Sequence, residues 1–364
     1  MIDRFLKTIG LFVLFAVFFV VFVKTAQAQQ SIYSRFDLVA SSESVPLNDM
    51  VSGWDSSYQR GEIVFADAVW STGYSVDINA ADYSLGQVRI QREQRHYYYL
   101  SFDKETADFY RALELGQDLS SDKELDLSVK QFEAKGVSVG FTSSEFQVQD
   151  VDIRAGFNLS LYQLGHFQFA NIKGIAEAGD ATAASAVINY RYDEDKILDH
   201  QADVDNGLGI SFSAHLLMKS KRWQSEVQLK DLVNRLQWDN GAYTQGCINI
   251  GGGNQVRCQT DGAASGVSGQ GRLSESIPYT LNGRISHLEL DASLAAMKHD
   301  AYYRLGIEKG LQTSLGRFAL FLYYPRLIGA SWQTKYVNFQ LGADTLKFSQ
   351  ARNIQLNMGI NWHW

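Results

Sequence analysis

Ile354, Leu356, Met358, Ile360, Trp362 and Trp364 fall at every second position up to the last residue of the chain. Gln355, Asn357, Gly359, Asn361 and His363 sit between them. Successive side chains of a strand point to opposite faces, so this stretch has one apolar and one polar face and stops on an aromatic. The alternation recurs upstream. Val151, Ile153, Ala155, Phe157, Leu159 and Leu161 oppose Asp152, Arg154, Gly156, Asn158 and Ser160. Leu208, Ile210, Phe212, Ala214, Leu216 and Met218 oppose Gly209, Ser211, Ser213 and His215. Shorter stripes set Tyr190 and Tyr192 against Arg191, Leu288, Leu290, Ala292 and Leu294 against Glu289 and Asp291, and Tyr303, Leu305 and Ile307 against Arg304 and Glu308. Each long stripe needs about 10 residues of strand, the reach that crosses a bilayer at a tilt, whereas soluble sheets use strands of about 5 or 6.

Residues 1–28 have the plan of a secretory signal. Arg4 and Lys7 make a basic start, residues 9–23 are apolar, and Ala26-Gln27-Ala28 offers the small residues of a cleavage site. The rival reading, a spanning helix, needs about 18 apolar residues, and this run meets Lys24 first. An exported chain of long amphipathic strands is expected to be an all-β, antiparallel transmembrane β-barrel of a bacterial cell outer membrane, with roughly 12 to 14 strands. The expected organisation is a signal peptide at 1–28, an N-terminal tail or plug at 29–60, and the barrel at 61–364.

Composition agrees. Eighteen Tyr, 21 Phe and 7 Trp accompany only 3 Pro, and a closed sheet has few places for a residue without an N–H donor. A formal net charge of −7 gives no footprint for nucleic acid. A soluble secreted sandwich would share these numbers; strand length favours the barrel. Cys247 and Cys258 are the two cysteines, in a Gly- and Ser-rich stretch with no histidine at ligand spacing. In an exported chain they read as a disulfide that staples a long loop, worth on the order of 3 kcal/mol in the chain-entropy account. That loop is expected outside the cell.

Residues 103–116 read as one short helix, with Asp103 at its start and Gly116 at its end. Three positions suit it: plugging the lumen, lying on the periplasmic side, or covering a mouth. Asn-Gly pairs at Asn206-Gly207, Asn240-Gly241 and Asn282-Gly283 signal hairpins, and Ala134-Lys135 suits a turn.

Little in the chain points to catalysis. Ser213 and His215 share a polar face, but residues two apart on a strand are roughly 6.5–7 Å apart, too far for a nucleophile–base hydrogen bond. His287, Glu289 and Asp291 share a face without metal-ligand spacing. Gly251-Gly252-Gly253 lacks the lysine and the strand-to-helix context of a phosphate loop. No enzyme activity and no cofactor are expected. The alternation instead points Asp152, Arg154, Asn158, Arg191, His215, Glu289, Asp291, Arg304 and Glu308 into a lumen. There they either select small solutes or interlock as ion pairs and pass nothing.

The final strand, with Ile360, Trp362 and terminal Trp364, resembles the C-terminal signal of Gram-negative outer-membrane barrels; the usual last residue of that signal is Phe. The resemblance implies two partners, the outer-membrane barrel assembly machinery and outer-membrane lipid. Asp231-Leu232 followed by Gln237-Trp238 resembles a strand of fatty-acid-transporter-like and conjugation-associated barrels. The expected function is conduction or transport of small solutes. The alternative is a structural or docking component of an envelope assembly (secretion, surface appendage or polymer export) with a partner protein there.

Overall fold

The computed structural model describes residues 30–52, 58–59, 61–80, 83–179, 183–195, 200–202, 204–250 and 264–364. The expected signal peptide and Cys258 lie outside these. The first strands are β1 (Gln30–Ser42), β2 (Ile63–Ala80), β3 (Tyr83–Phe102), β4 (Lys123–Ser143), β5 (Phe146–Val148) and β6 (Val151–Ala176). β7 (Ala184–Tyr192), β8 (Glu194–Asp195), β9 (His200–Gln201), β10 (Gly207–Lys219), β11 (Trp223–Ile250) and β12 (Ala264–Glu275) follow. The last are β13 (Thr280–His287), β14 (Ala292–His299), β15 (Tyr302–Thr313), β16 (Gly316–Tyr324), β17 (Leu327–Gln333), β18 (Val337–Ala343) and β19 (Asn353–His363). Two α-helices are described, the single turn α1 (Asp49–Ser52) and α2 (Lys104–Leu115), with a 3-10 turn at Phe348–Gln350.

Among the described residues, 14 strands close into an antiparallel ring: β1, β2, β3, β4, β6, β10, β11 and then β13 to β19 in order. β1 closes it, pairing with β2 on one side and β19 on the other. Gln30 and Trp364 exchange backbone hydrogen bonds of 3.2 and 3.1 Å at what we term the terminal rim. The count lies at the top of the expected range. One expectation is corrected here: Gln30–Ser42 is a barrel strand, neither tail nor plug. Its Ile32 is half exposed on the outside while Ser31, Tyr33, Arg35 and Asp37 line the interior, so it obeys the same period as β19.

The outside is greasy. Ile360, Trp362, Leu320, Ile328 and Leu294 are each more than half exposed although apolar, as a lipid-facing belt requires. Aromatic pairs fringe it: Trp364 with Tyr74 at 6.4 Å and Trp362 with Tyr336 at 5.5 Å by the terminal rim, Tyr303 with Tyr324 at 6.3 Å toward the other.

The wall is lopsided. β4, β6 and β11 have 21, 26 and 28 residues, while β17 and β18 have 7 each. At about 3.3 Å per residue, β11 runs for roughly 90 Å and cannot end inside a bilayer. Beyond the ring β7 takes the place of β10 between β6 and β11, and β12 takes the place of β13. The result is a collar rising from one side of the far rim.

The collar's outer face is dry, because other segments cover it. Leu100 and Phe102 alternate with lumen-facing Tyr97 and Tyr99, and they pack on Val45, Val64 and Ala107 of α2. Further along α2, Ala112 packs with Leu125, Ala176 and Ala184. α2 therefore lies against the outside of the collar. Its ends are as expected: the Asp103 carboxylate accepts from Thr106 N at 2.7 Å, and Gly116 is left-handed at φ 59°. Ala202 and Val204 shield Tyr190 and Tyr192 in the same way. Nearby, Asp193 lies 2.8 Å from His166 and accepts from Phe167 N at 3.1 Å. Burial pushes that carboxyl up, but these bonds outweigh it and hold the group below its ordinary range.

Turn signals inside strands lost to the ladder. Ala134-Lys135 is interior to β4, beside a bulge where Glu133 faces two residues of β6. Asn240-Gly241 lies within β11 and Asn282-Gly283 within β13, while Asn206-Gly207 opens β10. Asn282 instead turns its amide to Gln228 across the strands, 3.5 Å away, and Gly283 pairs with Ala296.

Candidate functional site

From the terminal rim a polar vestibule of about 750 Å³ runs into the barrel. Its lining is mostly polar and includes the hydroxyls and amides of Ser31, Ser71, Ser75, Gln87, Gln91, Gln340, Asn357 and Asn361. The polar half of the terminal stripe (Gln355, Asn357, Gly359, Asn361 and His363) is part of this lining.

The vestibule ends on a buried layer of charge. Arg95, 2% exposed, lies 2.8 Å from both Asp67 and Asp231, and Lys230 reaches Asp67 at 2.6 Å. Ser211 donates to Asp231 at 2.6 Å. Alternation should send neighbours Lys230 and Asp231 to opposite faces, but a bulge sets three residues of β11 against Ser213 of β10. Asp231 takes φ 57° there and swings inward. Asn234 braces the kink, joining Asp231 O at 3.0 Å and both backbone groups of Ile277. Beside this layer Tyr162 and Ser160 donate to Glu93 at 2.7 and 3.3 Å.

Above the charges the lumen is shut by rings. Phe65 stacks on His299 at 4.5 Å and lies 5.3 Å from Tyr302; Tyr97 stacks on Phe132 at 5.2 Å; Phe167 meets Trp238 at 4.3 Å. Leu164, Leu236, Leu273 and Ile277 fill the gaps, and each of these residues is nearly inaccessible. His299 is fully buried, with Nε2 2.7 Å from Tyr97 Oη and Nδ1 2.8 Å from Thr280 Oγ1. Strands of the barrel and collar contribute all of these side chains except Ile277, which comes from the connection between β12 and β13.

The sequence-predicted positions divide. Asn158, His215 and Arg304 line the vestibule. Asp152 and Arg154 stand at the terminal rim, where Arg154 binds Glu145 at 2.7 Å. Glu308 is buried between Arg284 (3.1 Å) and Arg317 (3.0 Å), and Arg317 also holds Asp291 at 2.7 Å. These last four interlock as ion pairs. Arg191 shares a face with Phe169 and Tyr243 and so turns to the axis, but on the collar beyond the ring. Glu289 is a correction. Leu288 to Asp291 form the β13–β14 turn, and Glu289 is a rim residue 3.5 Å from Arg222.

His287 packs on Trp223 at 4.6 Å, so the His287, Glu289 and Asp291 trio is not brought together. Ser213 accepts from Asp231 N, whereas His215 lies 3.2 Å from Thr142. Cys247 pairs with Val187 and Ser265 in the collar. With Cys258 undescribed, the staple remains an expectation.

Close approach matters at one glycine. Gly306 lets the Tyr323 ring lie on the sheet, since a Cβ there would come 2.0 Å from Tyr323 Cδ1. Gly306→Ala should cost about 1–3 kcal/mol by overpacking. A urea series followed by mobility on unheated gels checks this, and an unchanged midpoint counts against it.

The molecule has the architecture of an outer-membrane β-barrel. No family model and no curated protein matches the sequence. Among solved structures the chain is similar to a deletion mutant of TodX, a monoaromatic hydrocarbon channel, at 10% identity over 92% of this chain and 89% of that one, with a TM-score of 0.39. An outer-membrane channel from Pseudomonas putida F1 matches at 8% identity, over 94% and 98% of the two chains, with a TM-score of 0.26. The PapC usher translocation pore matches at 10% identity, over 92% and 99%, with a TM-score of 0.20.

Proposed function

We propose that the protein spans the bacterial outer membrane and passes small polar solutes through a lumen closed toward the far rim by its own side chains. One observation carries this: a polar vestibule ends blind on side chains that belong to the barrel and its collar rather than to a separate plug domain. Rearrangement of side chains, rather than departure of a separate domain, would open it. Barrels of this class keep short turns in the periplasm and long segments outside. The terminal rim, with the two- to four-residue turns at 288–291, 314–315 and 334–336, is then periplasmic. The collar, α2 and the Cys247 region face outward.

Liposome swelling tests the reading. Barrel purified from outer-membrane fractions should admit solutes of glycerol to pentose size faster than protein-free vesicles. Absence from that fraction removes the location; folded protein with no swelling above background removes conduction.

A docking role is the second reading, favoured by the shut lumen together with the collar. β12 pairs with β11, and its other edge has no strand partner among the described residues. Crosslinking in intact cells that places an envelope protein along β12, with swelling absent, would support docking over conduction.

A further inference from the structure

Arg304 on β15 is 8% exposed, and its Nε has no hydrogen-bond partner among the described residues. The Oε1 of Gln355 on β19 is buried and unpartnered too. Both line a recess of about 230 Å³ that opens off the vestibule and shares Gln228, Asn282 and Met297 with it. A buried cation without an anion is costly, and a buried acceptor without a donor adds to that cost. Both side chains line one recess, and each keeps an unpartnered polar atom just behind its wall, a pair that describes a ligand.

Its chemistry follows from the charges nearby. Arg284, the recess's other cation, is committed to Glu308 at 3.1 Å. Arg304 is held by the face of the Tyr323 ring, 4.7 Å from its centroid, which fixes the guanidinium plane. A planar guanidinium favours a carboxylate, which it meets with two parallel donors. Glu226, also on the recess wall, opposes any anion there, so Arg304 can offset one negative charge but not two.

We propose that the recess binds a small monocarboxylate bearing a hydroxyl or amine beside the acid. The carboxylate accepts from Arg304, and the Gln355 amide turns its Oε1 into the recess to accept from the neighbouring O–H or N–H. The site stands on these contacts and does not require that the barrel conduct.

Calorimetry on the full-length barrel in detergent micelles at neutral pH tests it, with lactate, propionate, glycerol and inorganic phosphate as probes. Lactate should bind several-fold more tightly than propionate, and glycerol and phosphate at least tenfold more weakly than lactate. Arg304→Gln should weaken lactate at least tenfold. Gln355→Leu should bring lactate to the level of propionate and leave propionate unchanged. Unheated-gel mobility reports folding; where Arg304→Gln fails to fold, the Gln355→Leu comparison decides. Undetectable lactate binding, equal lactate and propionate affinities in the wild type, or phosphate as the tightest probe each overturn the proposal.

Discussion

Replacing Arg95 by methionine is expected to destabilise the barrel by about 3–5 kcal/mol, the usual result of removing one partner from a buried ion cluster. Arg95 lies between Asp67 and Asp231, all three almost wholly inaccessible. Without it Asp67 keeps Lys230 at 2.6 Å, but Asp231 retains only neutral Ser211 at its carboxylate among the contacts described above. The penalty is therefore an uncompensated anion rather than lost attraction. That distinction makes a second, sharper expectation. Arg95→Met with Asp231→Asn removes the stranded charge, and asparagine tolerates the left-handed backbone at φ 57°. The double variant should recover at least half of the loss. Urea unfolding in micelles, followed by unheated-gel mobility, measures both. Arg95→Met within about 1 kcal/mol of wild type, on the scale of a surface pair, would show that the layer is wetter than its burial implies.

Much of this architecture is visible in single stretches of sequence, because alternation in a barrel is enforced from both sides. Lipid rejects polarity on one face and the lumen accepts it on the other, so Asn158, His215 and Arg304 can be placed inside by counting in twos. Counting fails where two-residue rhythm arises without a strand. Leu288 and Leu290 alternate with Glu289 and Asp291 yet form a turn, since four residues at a rim carry no pairing to enforce the period. It also fails at bulges. Lys230-Asp231 looks like a break in a strand, but its purpose depends on Arg95, 136 residues away in the chain. β1 was hidden for a third reason: reading 29–60 as one piece averages a regular strand with the irregular segment that follows it. The aromatic closure is legible only as composition, because its rings come from β2, β3, β4, β6, β11, β14 and β15 and meet only when the cylinder closes.

Truncating that closure is expected to have the largest effect on function. Phe65→Ala with Trp238→Ala removes two rings, one stacked on His299 and one against Phe167, at the level where the lumen is filled. The space left would not stay dry. Tyr97 Oη, Tyr99 Oη and the His299 ring border the space beside Phe65, and a cavity with several polar partners takes up water. Each truncation should cost about 3–5 kcal/mol in stability, so the variants are compared at temperatures where gel mobility shows them folded. In planar bilayers the double variant should show sustained current at least tenfold above wild type. Phe318→Ala is the control: it deletes an equal ring from the lipid face, where Phe318 stacks on Trp332 at 6.2 Å, and should leave current unchanged. A folded double variant as silent as wild type would mean that more than these rings blocks the path. Conduction would then lose its footing, and the collar with its open β12 edge would become the part of the molecule to explain.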